Sequence, residues 1–203
     1  MMQEKKLRTE FPLKGRVVFF ATGNIHKFNE VRSILTEMDI AVGMLRMKDI
    51  EIQSDSLAEI ARESAIDVFK RCNLPVIVED AGLFIDALKG FPGPYAAYAY
   101  KTIGNKGLLK LMQNVENRKA KFKSAIAYCD SEKTPLVFYG EATGKITNIE
   151  RVGNGNSGFG FDPIFQPSGS PKTFAEMTLE EKNRFSHRAN AIRKFAEWYK
   201  KLQ

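Results

Sequence analysis

Apolar and polar positions along the chain follow first a strand pattern and then a helical one. The apolar run over residues 17–21 predicts a buried strand, and from Phe28 to Met38 the apolar residues recur at helical spacing. A second strand is expected over residues 40–45. The capping box at residues 56–59, Ser-Leu-Ala-Glu, then predicts a helix with one apolar face. A strand, a tight turn and a helix in this order predict an α/β fold.

The remainder of the chain predicts further strands and helices. Residues 76–78 are typical of a buried strand, and a helix is expected near residues 106–113. Strands over residues 122–128 and 136–139, joined by the polar turn 130–134, predict an antiparallel hairpin. Three more elements are expected: a strand over residues 141–149, a helix after the capping box at residues 178–181, and a last helix from about His187.

The composition is that of a globular protein. A chain of 203 residues is long enough for one sizeable core or two closely packed lobes. No window approaches the ~18 consecutive apolar residues of a membrane helix, and the run 17–21 is too short for a signal peptide. We therefore expect a cytoplasmic protein without membrane contact, in which residues 1–14 form a flexible basic N-terminal segment.

The charged and metal-binding residue types limit the possible partners. The net charge of +7 suits an anionic partner, but a nucleic acid, a nucleotide and a solvated surface satisfy it equally. Lys119, Lys121 and Lys123 alternate, which places them on one face of a strand, and an exposed lysine face is the simpler interpretation. Cys72 and Cys129 are isolated and indicate neither a disulfide framework nor a zinc cluster. Since the sequence has only 2 histidines, a bound metal would be a hard cation held by Asp and Glu oxygens.

The sequence Thr22-Gly23-Asn24, followed by Lys27, is a candidate phosphate site. A strand that passes through glycine into a helix start directs several backbone N–H groups to one point, and the helix dipole favours an anion there. Lys27 adds a full positive charge. The alternative is purely structural: Asn24 caps the helix, Gly23 forms the turn and Lys27 is solvated.

Four carboxylates occur where two predicted strands end. Glu51 and Asp55 follow the second strand, while Glu79 and Asp80 end the strand over residues 76–78. Since strand ends lie at one edge of an α/β sheet, Glu51 with one or both of Glu79 and Asp80 could hold Mg²⁺. Neighbouring strand residues point to opposite faces, so Glu79 and Asp80 share one site only if the strand bends. The alternative is that these acids merely begin loops and cap helices.

Residues 153–158 match the dinucleotide pattern G-x-G-x-x-G in the wrong context. That pattern must follow a first strand and open a helix, whereas aromatic residues and Pro163 come next here. The chain has no Walker A sequence either. We interpret the segment as a loop that presents Phe159, Phe161 and Asp162 for base stacking and recognition. The alternative is a glycine-rich turn beside core phenylalanines.

Basic residues surround the start of the last predicted helix. Ser186 is a good N-cap, and His187 and Arg188 follow it, with Lys182 shortly before. Cations at a helix N-terminus oppose the dipole by roughly 0.3–1 kcal/mol each, which indicates a nearby anion or base.

In combination, these segments resemble the inosine triphosphate pyrophosphatase family, also called XTP/dITP diphosphatases. The resemblance extends from residue 17 to about residue 199 and rests on seven motifs in one order. The motifs are Thr22-Gly-Asn-x-x-Lys27, Glu51-Ile-Gln-Ser-Asp55, Val78-Glu-Asp-Ala-Gly-Leu83, Gly90-Phe-Pro-Gly-Pro-Tyr95, Gly158-Phe-Gly-Phe-Asp-Pro-Ile-Phe165, Thr173-Phe-Ala-Glu-Met177 and Glu181-Lys-x-x-x-Ser-His-Arg188.

The resemblance implies an elongated mixed α/β sheet with flanking helices that form two lobes around a central cleft, within a single catalytic domain over residues 15–203. It implies a homodimer that hydrolyses ITP, dITP and XTP to the monophosphate and pyrophosphate with Mg²⁺, or Mn²⁺ in its place, and that binds no nucleic acid. Such an enzyme removes deaminated purines from the nucleotide pool. By motif position, Asp80 would be the proton acceptor. The metal ligands would be Glu51, Asp80 and Glu79. The substrate-binding residues would be Thr22, Gly23, Asn24, Lys27, Ala81, Phe159, Gly160, Phe161, Asp162, Lys182, His187 and Arg188.

Two positions depart from the family pattern. Ala81 replaces the Ser or Thr of many members, so a hydroxyl donor is missing although the backbone N–H remains. Phe161 replaces Tyr or Trp, which keeps stacking but drops a polar group. Two other functions stay open on sequence alone: a pyrophosphatase for pyrimidine or modified nucleotides, and a nucleic-acid-binding module, which would leave the acidic residues without a role.

Overall fold

The computed structural model describes residues 17–47, 52–131, 135–153 and 158–202. The predicted N-terminal segment 1–14 and Glu51 lie outside the described residues. The strands are β1 (Val17–Ala21), β2 (Ala41–Leu45), β3 (Val76–Ile85), β4 (Pro92–Gly93), β5 (Lys119–Cys129), β6 (Leu136–Ile146) and β7 (Phe165–Pro167). The α-helices are α1 (Ile25–Glu37), α2 (Leu57–Cys72), α3 (Ala96–Leu111), α4 (Leu179–Phe185) and α5 (His187–Tyr199).

The seven described strands form one mixed sheet. Their order is β2-β1-β3-β5-β6-β7, with β4 paired to β3. β1 lies parallel to β2 and β3, whereas β3, β5, β6 and β7 are joined by antiparallel pairings. This arrangement confirms the predicted mixed α/β class. Among the described helices, none combines the length and the apolar character that crossing a lipid bilayer requires.

The core lies on both faces of the sheet. Ile77 packs with the apolar faces of α1 and α5, while its neighbour Val78 packs with α2. Because successive strand residues point to opposite faces, α1 and α5 cover one face and α2 covers the other. A third cluster, which includes Leu83 and Leu108, joins the far end of β3 to α3. The buried stripe of α1, from Phe28 to Leu35, follows the predicted helical spacing.

The strand that carries Glu79 and Asp80 does not end at these residues. β3 continues to Ile85 because β5 pairs with it along its whole length, with Glu79 opposite Ile126 and Asp80 opposite Ala125. The prediction of a strand end was therefore wrong, since the antiparallel partner, which lies distant in sequence, extends the strand. The predicted face of alternating lysines on β5 is confirmed by the strand Lys119–Cys129.

Two other boundaries also differ from the predictions. Residues 136–146 form one strand rather than two, and α3 begins at Ala96 rather than near residue 106. α3 contains a break at Gly104, whose φ of 61° and ψ of −169° are not helical. The apolar residues on either side of this break therefore do not follow one continuous helical period. Because the prediction relied on such a period, it missed the first part of α3.

Capping at two helix starts follows the predicted pattern in part. Thr178 and Glu181 form the complete reciprocal capping box of α4. At α2, Ser56 accepts a hydrogen bond from the Glu59 amide, but the Glu59 carboxylate accepts one from the Ser54 hydroxyl at 2.6 Å instead.

Candidate active site

A cavity of about 410 Å³ opens where the starts of α1 and α5, the middle of β3, the first half of α3 and residues 158–162 meet. It is therefore bounded by elements from most of the chain. Ten of the predicted site residues line it: Asn24, Lys27, Asp80, Ala81, Phe159, Gly160, Phe161, Asp162, His187 and Arg188. Thr22, Gly23 and Lys182 are not among the lining residues.

The turn between β1 and α1 is held by its own side chains. The Asn24 side-chain oxygen accepts hydrogen bonds from the amides of His26 (2.9 Å) and Lys27 (3.2 Å), which caps α1. The Thr22 hydroxyl accepts one from the Asn24 amide at 3.1 Å. The structural interpretation of Asn24 is therefore confirmed. Asn24 and Lys27 nevertheless face the cavity, so the cap places them at its edge.

Glu79 is a buried carboxylate that pairs with two cationic side chains. Its side chain is fully buried, and its Oε1 accepts a hydrogen bond from the Ser124 hydroxyl at 2.8 Å. Arg188 Nε lies 2.9 Å from the same oxygen, and Lys27 Nζ lies 3.2 Å from Oε2. Burial alone would raise the pKa of Glu79, but Arg188 and then Lys27 hold that pKa well below its usual range. The side chain is therefore a carboxylate that accepts a hydrogen bond from Ser124 and forms ion pairs with Lys27 and Arg188.

Glu30 is a functional candidate that the sequence analysis missed. Its carboxylate joins Lys182 Nζ, at 2.7 Å, to the Arg188 guanidinium. Burial would raise the pKa of Glu30, but Arg188 and then Lys182 outweigh it and lower the pKa to about 2. The signal lay in the helical pattern, because Glu30 occupies a position on the buried stripe of α1 where an apolar residue would be expected.

Asp162 completes this cluster beside the aromatic residues. Its Oδ2 lies 2.6 Å from Lys182 Nζ and accepts a hydrogen bond from the Phe159 amide at 2.8 Å. Burial raises the pKa of Asp162, while the nearby ammonium opposes the rise. Lys182 Nζ also lies 4.8 Å from the centre of the Phe159 ring, and Arg188 lies 5.5 Å from it. Phe159 thus borders the cationic groups.

The ion-pair cluster is balanced in charge. We define it by six side chains, three cationic (Lys27, Lys182, Arg188) and three anionic (Glu30, Glu79, Asp162). Burial lowers the pKa of Lys182, yet Asp162 and Glu30 more than offset this and raise it. The guanidinium of Arg188 offers five N–H donors, more than the two carboxylates take up, so it can bind a ligand without leaving the cluster.

His187 is buried and neutral. It stacks on Phe122, with ring centres 4.7 Å apart and planes 11° apart. Burial, with Arg188 as the next cause, lowers the pKa of His187 to about 3, so the imidazole is uncharged at neutral pH. Its Nδ1 has no hydrogen-bond partner among the residues that the structure describes. A neutral imidazole offers a ligand one donor and one acceptor.

The two predicted aromatic residues of the base site differ in role. Phe161 is only 3% exposed and packs in the core, with its ring edge-on to Tyr100 at 5.5 Å. Phe159 is half-buried and stacks with His26 at 5.5 Å. The core interpretation therefore holds for Phe161, while Phe159 remains available at the cavity. Residues 154–157 of the glycine-rich segment lie outside the described residues.

The predicted metal ligands are only partly described. Asp80 is half-buried and lines the cavity next to Ala81. Within the described ranges, no group of three or more His, Cys, Asp or Glu side chains is arranged to hold a metal ion. Asp55 is exposed before the start of α2. Of the predicted metal ligands that the structure describes, Asp80 is therefore the one whose carboxylate lines the cavity and could bind a cation that arrives with a ligand.

Together, these groups give one cavity two chemically different sets of lining residues, which we call its phosphate end and its base end. The turn at Asn24 and Lys27 suits a phosphate chain, and Asp80, which lines the same cavity, suits the counter-ion of that chain. The Phe159 ring, the Arg188 guanidinium and the neutral His187 suit a flat ring with polar edges.

The chain is similar to known proteins along most of its length. A model of the Ham1 family matches residues 18–198. The chain is 51% identical over 183 residues to a Methanopyrus kandleri protein named dITP/XTP pyrophosphatase, which covers 90% of this chain and 96% of the relative. A Thermococcus kodakarensis protein of the same name is 50% identical over 181 residues, covering 89% of this chain and 96% of the relative.

Solved structures show the same fold. The HAM1 protein from Coxiella burnetii is 28% identical with a TM-score of 0.79, covering 92% of this chain and 99% of that one. The Staphylococcus aureus Ham1 protein is 28% identical with a TM-score of 0.77, covering 93% and 100%. Because the family model and the relatives match along nearly the whole described chain, the protein belongs to the Ham1 family.

Proposed function

We propose that this protein hydrolyses the non-standard purine nucleoside triphosphates ITP, dITP and XTP to the monophosphate and pyrophosphate. The observation that carries the proposal is the cavity, which the turn at Asn24 and Lys27 lines together with the buried donors His187 and Arg188. The dITP/XTP pyrophosphatase names of relatives about half identical in sequence support the substrate class. A homodimer is part of the proposal, and light scattering on the purified protein tests it.

The proposed base selectivity follows from the donors at the base end of the cavity, His187 and Arg188. A 6-keto purine carries an acceptor at position 6, whereas adenine carries an amino donor there. Arg188 can only donate, whereas the neutral His187 offers one donor and one acceptor. An amino group facing the Arg188 guanidinium would leave buried polar groups unpaired, at a cost of about 1–3 kcal/mol each. ATP should therefore be a poorer substrate than ITP.

Binding of Mg²⁺ is part of the proposal, and Asp80 is the proposed ligand that lies within the described residues. The carboxylate chemistry of Asp80 fits a hard cation, and a nucleotide would supply further oxygen ligands. Glu51, the other predicted ligand, lies outside the described residues. Glu79 is left out of the proposed metal site because Ser124, Lys27 and Arg188 already engage its oxygens. When bound, Mg²⁺ would neutralise charge on the phosphate chain.

The hydrolytic step needs a nucleophile, a proton acceptor and a stabilised leaving group. A water oxygen forms a bond to the α-phosphorus while the bond from that phosphorus to the bridging oxygen breaks, and pyrophosphate leaves. We assign Asp80 as the acceptor of the water proton, since its carboxylate lines the same cavity as Asn24 and Lys27. Lys27 would neutralise the phosphates, and Asn24 would hold the turn against them.

Pyrophosphate release from a panel of nucleotides tests this function directly. The panel contains ITP, dITP, XTP, ATP, GTP and a pyrimidine triphosphate, each with and without Mg²⁺. The proposal expects kcat/KM to be highest for the keto purines other than guanine. Equal kcat/KM for ITP and ATP would contradict it, and a preference for the pyrimidine would indicate a different base pocket. Salt-dependent binding of a polynucleotide, without hydrolysis, would indicate a nucleic-acid-binding module.

A further inference from the structure

Asn105 is a buried polar residue that neither the sequence motifs nor the proposed mechanism uses. It lies in α3 directly after the break at Gly104 and is 8% exposed. Its Nδ2 donates to the Gly160 carbonyl oxygen at 3.3 Å and to Glu150 Oε2 at 3.4 Å. One amide group therefore joins α3 to two segments distant in sequence, of which one belongs to the predicted base site.

The primary amide of Asn105 suits two acceptors at this position. An NH₂ group carries two hydrogens and can satisfy two acceptors at once, whereas a hydroxyl has one donor and a carboxylate has none. The break at Gly104 has a positive φ, which favours glycine and ends the regular helix immediately before Asn105. Asn105 therefore lies at the start of the second helical part of α3.

A hydrogen bond to the Gly160 carbonyl fixes the backbone between the two aromatic residues of the predicted base site. Gly160 lies between Phe159, which borders the cavity, and Phe161, which packs in the core. Its φ of 62° makes a sharp local turn. α3 contacts this segment a second time, through the edge-on packing of Tyr100 against Phe161. α3 therefore holds both the backbone and one ring of the segment that would face the nucleobase.

We propose that Asn105 is a positioning residue that sets base selectivity by fixing the Gly160 carbonyl and, with it, the orientation of Phe159. This inference rests on the proposed function, because it concerns the base end of the same cavity. Asn105 lies outside the cavity lining. Its effect should therefore reach the nucleobase through Gly160 and leave the phosphate end unchanged.

The test compares Asn105→Asp with the wild type by pyrophosphate release from ITP and ATP, and by inhibition with inorganic pyrophosphate. Asp has the size of Asn but no donor, so Gly160 loses its partner. We expect KM for ITP to rise roughly three- to tenfold, and the ratio of kcat/KM for ITP over ATP to fall by a similar factor. Inhibition by pyrophosphate should not change. Lys106→Ala, at the exposed neighbouring position, is the control and should match the wild type.

A second variant separates positioning from stability. In Asn105→Asp the new carboxylate would face Glu150, and adding Glu150→Gln removes that repulsion while Gly160 still lacks a donor. The double variant should recover the wild-type unfolding midpoint but not the ITP selectivity. Recovery of both would show that Asn105 is merely structural and would overturn the inference.

Three other outcomes would also contradict the inference. A wild type that does not prefer ITP over ATP refutes the proposed function, and this inference with it. A wild type that prefers ITP, with Asn105→Asp unchanged in KM and selectivity, refutes the inference alone. Parallel loss of nucleotide and pyrophosphate affinity would mean that the whole site has changed, which also contradicts a role confined to the base end.

Discussion

Replacing Glu30 by glutamine would remove one of the three carboxylates of the ion-pair cluster while keeping the shape of the side chain. Lys182 and Arg188 would then share the negative charge of Glu79 and Asp162 alone. Both cations are only 2% exposed, so water cannot replace the missing charge. Loss of one partner from a buried ion pair costs about 3–5 kcal/mol, and we expect a value near the lower end because glutamine keeps an acceptor oxygen.

Urea unfolding at pH 7 measures this loss. With a slope of about 3 kcal/mol per molar, a destabilisation of that size lowers the midpoint by about 1 M. The matched control is Glu37→Gln, which removes an exposed carboxylate from the same helix and should change stability by less than about 0.5 kcal/mol.

The pH dependence gives a second, independent check on Glu30. Its pKa is lowered to about 2 in the folded protein from an ordinary value of 4.5, so its stabilising effect is complete above pH 4.5 and is lost as the pH falls towards 2. The difference between wild type and Glu30→Gln should therefore shrink over this window. A loss at pH 7 no larger than that of Glu37→Gln would refute the buried ion-pair reasoning.

Variants at Asp80, Gly140 and His187 test the proposed catalysis, the packing of β6 against α5, and the burial of the imidazole. Asp80→Asn should lower kcat for pyrophosphate release by about 10²–10⁴-fold with an unchanged unfolding midpoint, and near-normal turnover would exclude Asp80 as proton acceptor. Gly140→Ala should cost about 1–3 kcal/mol in urea unfolding, because a Cβ there would collide with the backbone of His187 and Ala191. Gly23→Ala, with no atom within 4 Å of the added Cβ, is its control, and equal stability of the two variants would contradict the collision. The lowered pKa of His187, about 3, means that only the unfolded state takes up a proton there below pH 6.5, so the free energy of unfolding should fall by up to about 1.4 kcal/mol per pH unit between pH 6.5 and 5. His187→Gln should lack this component, and equal slopes for the two proteins would refute it.

For Glu79 and Asp80, the local sequence predicted the position on a strand but not the surroundings of each side chain. Their place on a strand after a buried apolar run was predictable, because three consecutive apolar residues precede them. Their different environments were not. Glu79 is engaged by Lys27, Ser124 and Arg188, which come from three other elements. Strand alternation predicts that neighbours diverge, but only the packing of α1 and α5 on one face decides which carboxylate meets cations.

The sequence by itself determined the features that depend on neighbouring residues. The turn from Thr22 to Asn24 and the helix start at Ser186 follow from local hydrogen bonding and periodicity, and the order of the motifs was sufficient to recognise the family. The tertiary structure alone decided the pairs between distant residues. Glu30 meets Lys182 and Arg188 across 152 and 158 residues of chain, and Asn105 meets Gly160 across 55. Such pairs form because a buried polar group without a partner is costly, so the fold must bring a complementary group to it. The local sequence pattern contains no information on which distant residue supplies that group.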